Sequence, residues 1–300
     1  MNLTAASTVL VQGINQPLAT YHIARMLAYG TNIVAGVSAG QGGKQIQGIP
    51  VFDLVEQACN QVGKIEVTLI FVESYSALDA ALEAIEAGIR QLIIISDGIP
   101  PLDTIRLLRK AEATNTLVVG PKSSGIIVPG KVLLGTQDSN FYTPGNIAMI
   151  SRTSTLTYEV ALALTQAGLG QSISVNLGSD AIIGSSFRHW LPILASDAET
   201  EAIVLVDCTG GGSEEETAQY INEAIDKPVI TYVAGCNTPV DKQMGNASAI
   251  IAAQLSGPIT SATTAQHKVA AFKEAKIPVA GRPSQIPDMV KKALKKSVKS

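Results

Sequence analysis

Glycines that follow two short aliphatic runs are the residues of this chain best suited to hold a phosphorylated ligand. Gly13 follows the first run, and Gly40, Gly42 and Gly43 follow the second. Loops after parallel strands lie at the carboxyl edge of a sheet, where nucleotides bind, and glycine lets backbone N–H groups approach a diphosphate closely. Lys44 adds a mobile positive charge directly after this group. The alternative interpretation is a pair of tight turns that bind no ligand.

Two predicted helix starts could hold a second anion. Ser154-Thr155 and Gly212-Ser213 each stand where an aliphatic run gives way to a helical pattern. The first N–H groups of a helix are unpaired and carry a partial positive charge, which favours phosphate at that point. The alternative for each pair is ordinary N-capping by a hydroxyl side chain.

The elements that must position these loops alternate along the chain. Short aliphatic runs separated by amphipathic stretches predict a parallel sheet whose faces are both covered by helices. The predicted strands are 9–11, 33–35, 67–72, 92–95, 117–119, 147–150, 173–175, 202–206 and 229–235. The predicted helices are 18–29, 78–87, 102–113, one from 155, 214–224, 264–275 and 283–296. Thr143-Pro144-Gly145 interrupts the alternation, so we expect two domains, 1–143 and 144–300.

Composition describes a globular chain and disfavours several function classes. Hydrophobic residues make up 46% and charged residues 16% of 300 residues, enough for a sizeable core. The net charge of -3 disfavours a nucleic-acid surface, and no segment reads as an export signal or membrane span. Cys59, Cys208 and Cys236 lack metal-ligand spacing. We therefore expect reduced thiols, no metal on this chain and a cytoplasmic location.

Several motifs, in order along the chain, resemble one known family. The motifs are Gly36-Val37-Ser38 with Gly40-Gln41-Gly42-Gly43, Ser96-Asp97-Gly98-Ile99-Pro100, Gly120-Pro121, 151–159, 211–216 and 242–248. Together they resemble the α subunit of succinyl-CoA synthetase. The resemblance implies an α/β fold, with an N-terminal Rossmann-like CoA-binding domain followed by a flavodoxin-like CoA-ligase domain of strand order 2-1-3-4-5. It also implies an ATP-grasp β subunit as partner, with a homo-oligomer as the alternative.

The resemblance assigns a coenzyme A site to the first domain. The implied cofactor-binding residues are Gly13, Ser38, Gly40, Gln41, Gly42, Lys44, Asp97, Lys122 and Ser123. Gln41 stands where the family usually has lysine, and Lys44 could restore the phosphate contact. Lys122 and Ser123 stand where the family has asparagine and cysteine, so we expect a new cation near the thiol end of CoA.

Two departures fall on the phosphoryl-transfer site of the family. Asn246 occupies the position of the histidine that carries the phosphoryl group, and Cys208 occupies that of the glutamate that orients it. A carboxamide nitrogen is neutral and its lone pair is delocalised, so Asn246 is predicted to be inactive. Asp207 is displaced by one residue and should point to the other face of its strand. The histidines at 22, 189 and 267 are predicted to be surface or capping residues.

These features leave several functions open. The first hypothesis is a pseudoenzyme: a succinyl-CoA synthetase α-like protein whose degenerate site leaves a CoA- or nucleotide-binding regulatory or structural subunit. The second is a working acyl-CoA ligase α subunit that uses another phosphoryl acceptor or an unmediated acyl-phosphate route. A scaffold in a larger complex is the third. The implied phosphate-binding residues in either ligase-like case are Ser154, Thr155, Gly212 and Ser213.

Overall fold

The chain, seen in a computed structural model, is described at residues 3–209, 214–237 and 264–297. It divides into two units, the first formed by Met1–Gln137 with Leu177–Ser185 and the second by Asp138–Asn176 with Ser186–Ser300. Residues 138–143 therefore group with the second unit, whereas residues 177–185 group with the first. The predicted boundary between the two domains, after residue 143, stays a prediction.

A mostly parallel seven-stranded sheet forms the centre of the first unit. Its strands are β1 (Val9–Gln12), β2 (Ile33–Val37), β3 (Gln45–Ile46), β4 (Ile49–Phe52), β5 (Val67–Ile70), β6 (Gln91–Ile94) and β7 (Leu117–Val119). They run in the order β3-β4-β2-β1-β5-β6-β7, and only β3 is antiparallel to its neighbour. Every residue of β1 and β5 is buried, as expected for central strands covered on both faces. The six strands from β4 to β7 have the Rossmann order.

Four helices connect these strands, and a hairpin follows them. The helices are α1 (Pro17–Tyr29), α2 (Val55–Val62), α3 (Ala77–Glu86) and α4 (Pro101–Ala113), and the hairpin strands are β8 (Gly125–Val128) and β9 (Val132–Gly135). The Thr31 hydroxyl donates to the carbonyl of Leu133 at 2.7 Å and accepts from its N–H at 3.1 Å. The hairpin is thus tied to the segment after α1 in the same unit.

The second unit contains a sheet with five parallel strands. They are β10 (Pro144–Ser151), β11 (Gln171–Asn176), β12 (Ala202–Asp207), β13 (Val229–Val233) and β14 (Val279–Ala280). They run in the order β14-β13-β12-β10-β11, which is 2-1-3-4-5 when numbered from β10. The described helices of this unit are α5 (Thr155–Gln166), α6 (Phe187–Ser196), α7 (Glu214–Ala224), α8 (Ala265–Glu274) and α9 (Ile286–Ser297). The α/β class and the Rossmann-like and flavodoxin-like architecture are confirmed.

The sequence pattern missed the short or irregular elements. Strands β3 and β14 have two residues each, too few for alternation to be visible. Helix α6 carries Pro192 in its interior, where the ring removes a backbone donor, and so it lacks a clean helical signal. The predicted strands 67–72 and 229–235 end earlier, at Ile70 and Val233.

Candidate functional site

Gly13 ends β1 in a backbone conformation that other residues rarely adopt. Its φ is +76°, and a Cβ at this position would lie 2.8 Å from the backbone nitrogen of Val72. Its N–H donates to the carbonyl of Val37 at 2.9 Å. The close approach of three chain segments at the carboxyl edge of the sheet therefore requires glycine, whether or not a ligand binds there.

The glycine loop after β2, residues 38–44, satisfies most of its own backbone donors. The N–H groups of five residues donate within the protein; these are Ser38, Gln41, Gly42, Gly43 and Lys44. In the described chain, the N–H groups of Ala39 and Gly40 have no partner, and both residues are exposed. An anion approaching this loop would therefore meet two backbone donors at Ala39-Gly40.

Lys44 and Gln41, both predicted to be ligand-binding, are in contact. The Lys44 ammonium donates to the side-chain oxygen of Gln41 at 2.7 Å. The positive charge of Lys44 thus lies against the side chain at position 41. The role of Lys44 as a replacement phosphate contact stays a prediction.

Asp53 is a charged residue in contact with this loop that the sequence pattern did not indicate. Its Oδ1 accepts the Gly42 N–H at 2.9 Å, and a Cβ on Gly42 would lie 2.5 Å from its Oδ2. A carboxylate therefore stands against the glycines that were expected to face a diphosphate. The sequence signal that could have indicated Asp53 is its position immediately after strand β4.

Asp97 and Lys122, two further predicted CoA residues, form an ion pair. Lys122 Nζ lies 3.0 Å from Asp97 Oδ2, with side-chain exposures of 36% and 55%. A pair this exposed is weak and can exchange for a ligand contact. Ser123 is 3% exposed, and its hydroxyl oxygen accepts the Gly125 N–H at 2.8 Å. Ser123 thus helps to hold the turn that leads into the β8–β9 hairpin.

In the second unit, helix α5 begins without a side-chain cap from Ser154. Ser154 has helical dihedrals, φ −82° and ψ −51°, and its hydroxyl makes no capping hydrogen bond. Ser154 and Thr155 are both exposed. The N-capping alternative is therefore not the role of Ser154, and this end of α5 presents its partial positive charge to the surface.

Buried hydroxyl groups fix the chain that leads into α5. The Ser151 hydroxyl oxygen accepts the Thr153 N–H at 3.0 Å and the Thr157 hydroxyl at 2.6 Å. The Asn176 side-chain amide donates to the Thr153 carbonyl at 2.8 Å. The first turn of α5 is therefore held by side chains from two strand ends and from the helix itself.

A buried ion pair occupies the end of β12. Lys268 Nζ on α8 lies 2.9 Å from Asp207 Oδ2, with side-chain exposures of 0% and 2%. The same ammonium donates to the carbonyl of Cys208 at 2.8 Å, whereas Asp207 Oδ1 has no hydrogen-bond partner in the described chain. Asp207 is thus paired with Lys268. The sequence pattern did not indicate this pair, because the two residues are 61 positions apart.

The histidines lie on three different helices. His22 on α1 is 9% exposed, so the expectation of a surface or capping role was wrong for this residue. Partial burial lowers the pKa of His189, which is the third residue of α6. His267 is the third residue of α8, and its backbone N–H donates to the Thr264 hydroxyl oxygen at 3.2 Å.

Some predicted site residues lie outside the described part of the chain. They are Asn246, Gly212 and Ser213. Within residues 3–209, 214–237 and 264–297, no three His, Cys, Asp or Glu side chains gather as a metal site requires. Over those same ranges, every helix is too short or too polar to cross a bilayer.

Comparison with known proteins assigns both halves of the chain. Residues 4–98 match the model of a CoA binding domain, and residues 150–277 match that of a CoA-ligase. A relative from Archaeoglobus fulgidus, succinate–CoA ligase [ADP-forming] subunit alpha 2, is 40% identical over 95% of this chain and 96% of its own. The chain belongs to the succinate–CoA ligase α-subunit family.

Other members and neighbours of this family differ in substrate. The α subunit of malate–CoA ligase from Methylorubrum extorquens is 43% identical over 82% of this chain and 84% of its own. Among solved structures, ATP citrate lyase from Methanothrix soehngenii, in complex with citrate and coenzyme A, matches with a TM-score of 0.85 and 21% identity. The match covers 100% of this chain and 51% of that enzyme, so the chain spans about half its length. At this identity the likeness concerns the fold.

Proposed function

We propose that this chain is a non-catalytic α-subunit-like protein of the succinate–CoA ligase family, which binds CoA or a related nucleotide and regulates or supports a partner. The observation that carries the proposal is the double replacement of the phosphoryl-transfer groups, with Asn246 at the histidine position and Cys208 at the glutamate position. A neutral amide is not a phosphoryl acceptor, and a thiol cannot replace the charge of a carboxylate.

The surroundings of Cys208 support this reading. Asp207 is the one carboxylate among residues 205–209, and its side chain is buried against Lys268. Releasing it would leave a buried cation without its partner, at a cost of several kcal/mol. The neighbouring carboxylate is therefore a poor substitute for the glutamate that the family places at position 208.

The glycine loop supports retained binding of CoA or its ADP moiety. The N–H groups of Ala39 and Gly40 and the ammonium of Lys44 are the groups suited to a phosphate. Lys122 could add a contact to an anionic group at the other end of the ligand after leaving Asp97. The proposed partner is an ATP-grasp β subunit, with a second copy of the chain as the alternative.

A phosphorylation assay tests the proposed loss of phosphoryl transfer. We expect that the chain, mixed with a CoA-ligase β subunit, nucleotide and phosphate, forms no acid-labile phosphoprotein. The measurement is intact-protein and peptide mass spectrometry at neutral pH, with a working α subunit of the family as positive control. Stoichiometric phosphorylation anywhere in residues 238–248 would contradict the proposal.

Restoring the histidine and the glutamate that the family places at positions 246 and 208 gives a matched test of this proposal. Asn246→His with Cys208→Glu should recover part of the phosphorylation, and Asn246→His alone should recover less. An imidazole without its orienting carboxylate has no fixed tautomer or direction. Equal recovery in both variants would contradict the assigned role of position 208.

An active ligase is the second candidate. The identity of 40% over nearly the whole length of a succinate–CoA ligase subunit and the uncapped start of α5 favour it. Such an enzyme would need another phosphoryl acceptor or direct use of an acyl phosphate. Formation of an acyl-CoA by the chain with its β subunit would identify this case, and the presence or absence of phosphorylation of the chain would distinguish another acceptor from direct use of an acyl phosphate.

A further inference from the structure

The glycine loop carries a negative charge that works against the ligand proposed for it. The Gly42 N–H, which could otherwise face a phosphate, donates to Asp53 Oδ1 at 2.9 Å. Among the residues that the structure describes, no lysine, arginine or histidine forms an ion pair with Asp53. The charge of this carboxylate is therefore not neutralised by a neighbouring side chain.

The unpaired N–H groups of Ala39 and Gly40 lie close to the charge of Asp53. Gly40 and Gly42 are two residues apart, so their Cα atoms are separated by at most about 7 Å. Asp53 lies one hydrogen bond beyond Gly42. A phosphate bound at the Gly40 N–H group would then sit within about 13 Å of the carboxylate, which is close to the Debye length of about 10 Å at about 0.1 M salt. Lys44, held by Gln41, is the opposing positive charge on the same loop.

We propose that Asp53 fixes the glycine loop through Gly42 and, through its charge, weakens the affinity of the loop for a diphosphate. The inference rests on the proposed binding of CoA by the first unit. A neutral acceptor at position 53 would keep the loop fixed and remove the repulsion. With two phosphate charges acting over about 8–13 Å in water at low salt, the expected gain in affinity is about three- to sixfold.

The substitution Asp53→Asn separates these two roles, because the amide oxygen can still accept the Gly42 N–H. Binding of CoA to the intact chain is measured by calorimetry for the wild type, Asp53→Asn and Asp53→Ser, which also offers a neutral acceptor. Glu112→Gln is the charge-matched control, since Glu112 lies in the last turn of α4, at the opposite edge of the sheet. Lys44→Ala reports whether a CoA phosphate lies at this loop, and it should weaken binding about tenfold or more.

The expected result is tighter CoA binding by Asp53→Asn and Asp53→Ser, unchanged binding by Glu112→Gln, and a gain that falls below about twofold near 0.5 M salt, where screening is strong. Equal or weaker binding by both neutral variants, with a wild type that binds CoA, would overturn the role of Asp53 alone. Absence of CoA binding in every protein would overturn the proposed function together with the inference. Binding by the neutral variants but not by the wild type would support the role of Asp53 and contradict CoA binding by the natural chain.

Discussion

Two carboxylates at strand ends have opposite environments in this protein. Asp53 is half-buried beside an exposed glycine loop, and the backbone N–H of Gly42 is its hydrogen-bond donor. Asp207 is fully buried and neutralised by Lys268. The first can influence a ligand through its charge, whereas the second mainly fixes the chain that leads to Cys208. The loss of stability on removing the interaction partner should therefore differ between Asp53 and Asp207.

Replacing the buried lysine should destabilise the second unit. Lys268→Met leaves the Asp207 carboxylate buried without a counter-charge, and we expect a loss of about 3–5 kcal/mol in the free energy of unfolding. Thermal and denaturant unfolding, followed by circular dichroism, measure it. Lys273→Met on the same helix is the control, because Lys273 is exposed and its loss should cost under about 0.5 kcal/mol.

The double variant Asp207→Leu with Lys268→Met distinguishes a charge effect from a packing effect. Replacing both members of a buried pair by apolar groups is often neutral or stabilising, so much of the lost stability should return. If the double variant were as unstable as Lys268→Met, the unpaired carboxylate would not be the cause.

At the scale of elements, parallel strands bring the candidate residues to one edge of each sheet. Gly13, the glycine loop, Asp97 and Lys122 all follow strands of the first sheet, and Ser154 and Cys208 follow strands of the second. Strand direction alone explains this arrangement, because loops after parallel strands share the carboxyl edge. The start of α5 shows how such a loop is held, since Ser151 and Thr157 contact each other below the exposed Ser154.

The start of α5 gives a prediction for two hydroxyl residues of similar size. Ser154→Ala should change the free energy of unfolding by no more than about 0.5 kcal/mol, because its side chain makes no cap. Thr157→Val removes a buried donor to Ser151 at nearly constant volume and should cost about 1–3 kcal/mol. Thermal unfolding of both variants tests the contrast. A larger loss from Ser154→Ala would mean that Ser154 caps the helix in solution.

At the scale of the whole molecule, the chain combines a CoA-binding domain with a CoA-ligase domain. The relatives are named as α subunits, which supports a subunit role for this chain. The net charge of -3 over 300 residues is too small to oppose association between chains. We therefore propose that the chain works in an assembly.

Light scattering after size exclusion measures that assembly. We expect the chain, with a CoA-ligase β subunit from the same organism, to elute as a complex well above its own 31.3 kDa. A homo-oligomer would instead appear in the sample without the β subunit. A mass of one chain in both samples would contradict the subunit role, and the lone β subunit serves as control.

The sequence by itself determined the order of elements, the two-domain class and the family. Aliphatic runs must be buried, and their alternation with amphipathic stretches leaves few arrangements other than parallel sheets covered by helices. The same reasoning located α7 at Glu214–Ala224, whereas the strand order of the second unit was implied by the family resemblance. The resemblance to the family also predicts Asn246 and Cys208 as departures, because residue identity needs no coordinates.

Only the tertiary structure decided which side chains meet. Gly42 and Asp53 are 11 residues apart and Lys268 and Asp207 are 61 apart, and no periodicity relates the members of either pair. Lys268 lies on an amphipathic helix, where a lysine ordinarily faces water, yet here its charge is compensated in the interior. Likewise Ser154 stood at a helix start, but its backbone dihedrals, rather than its residue type, decided that it does not cap α5. Such contacts depend on how strands and helices pack, which the linear pattern does not specify.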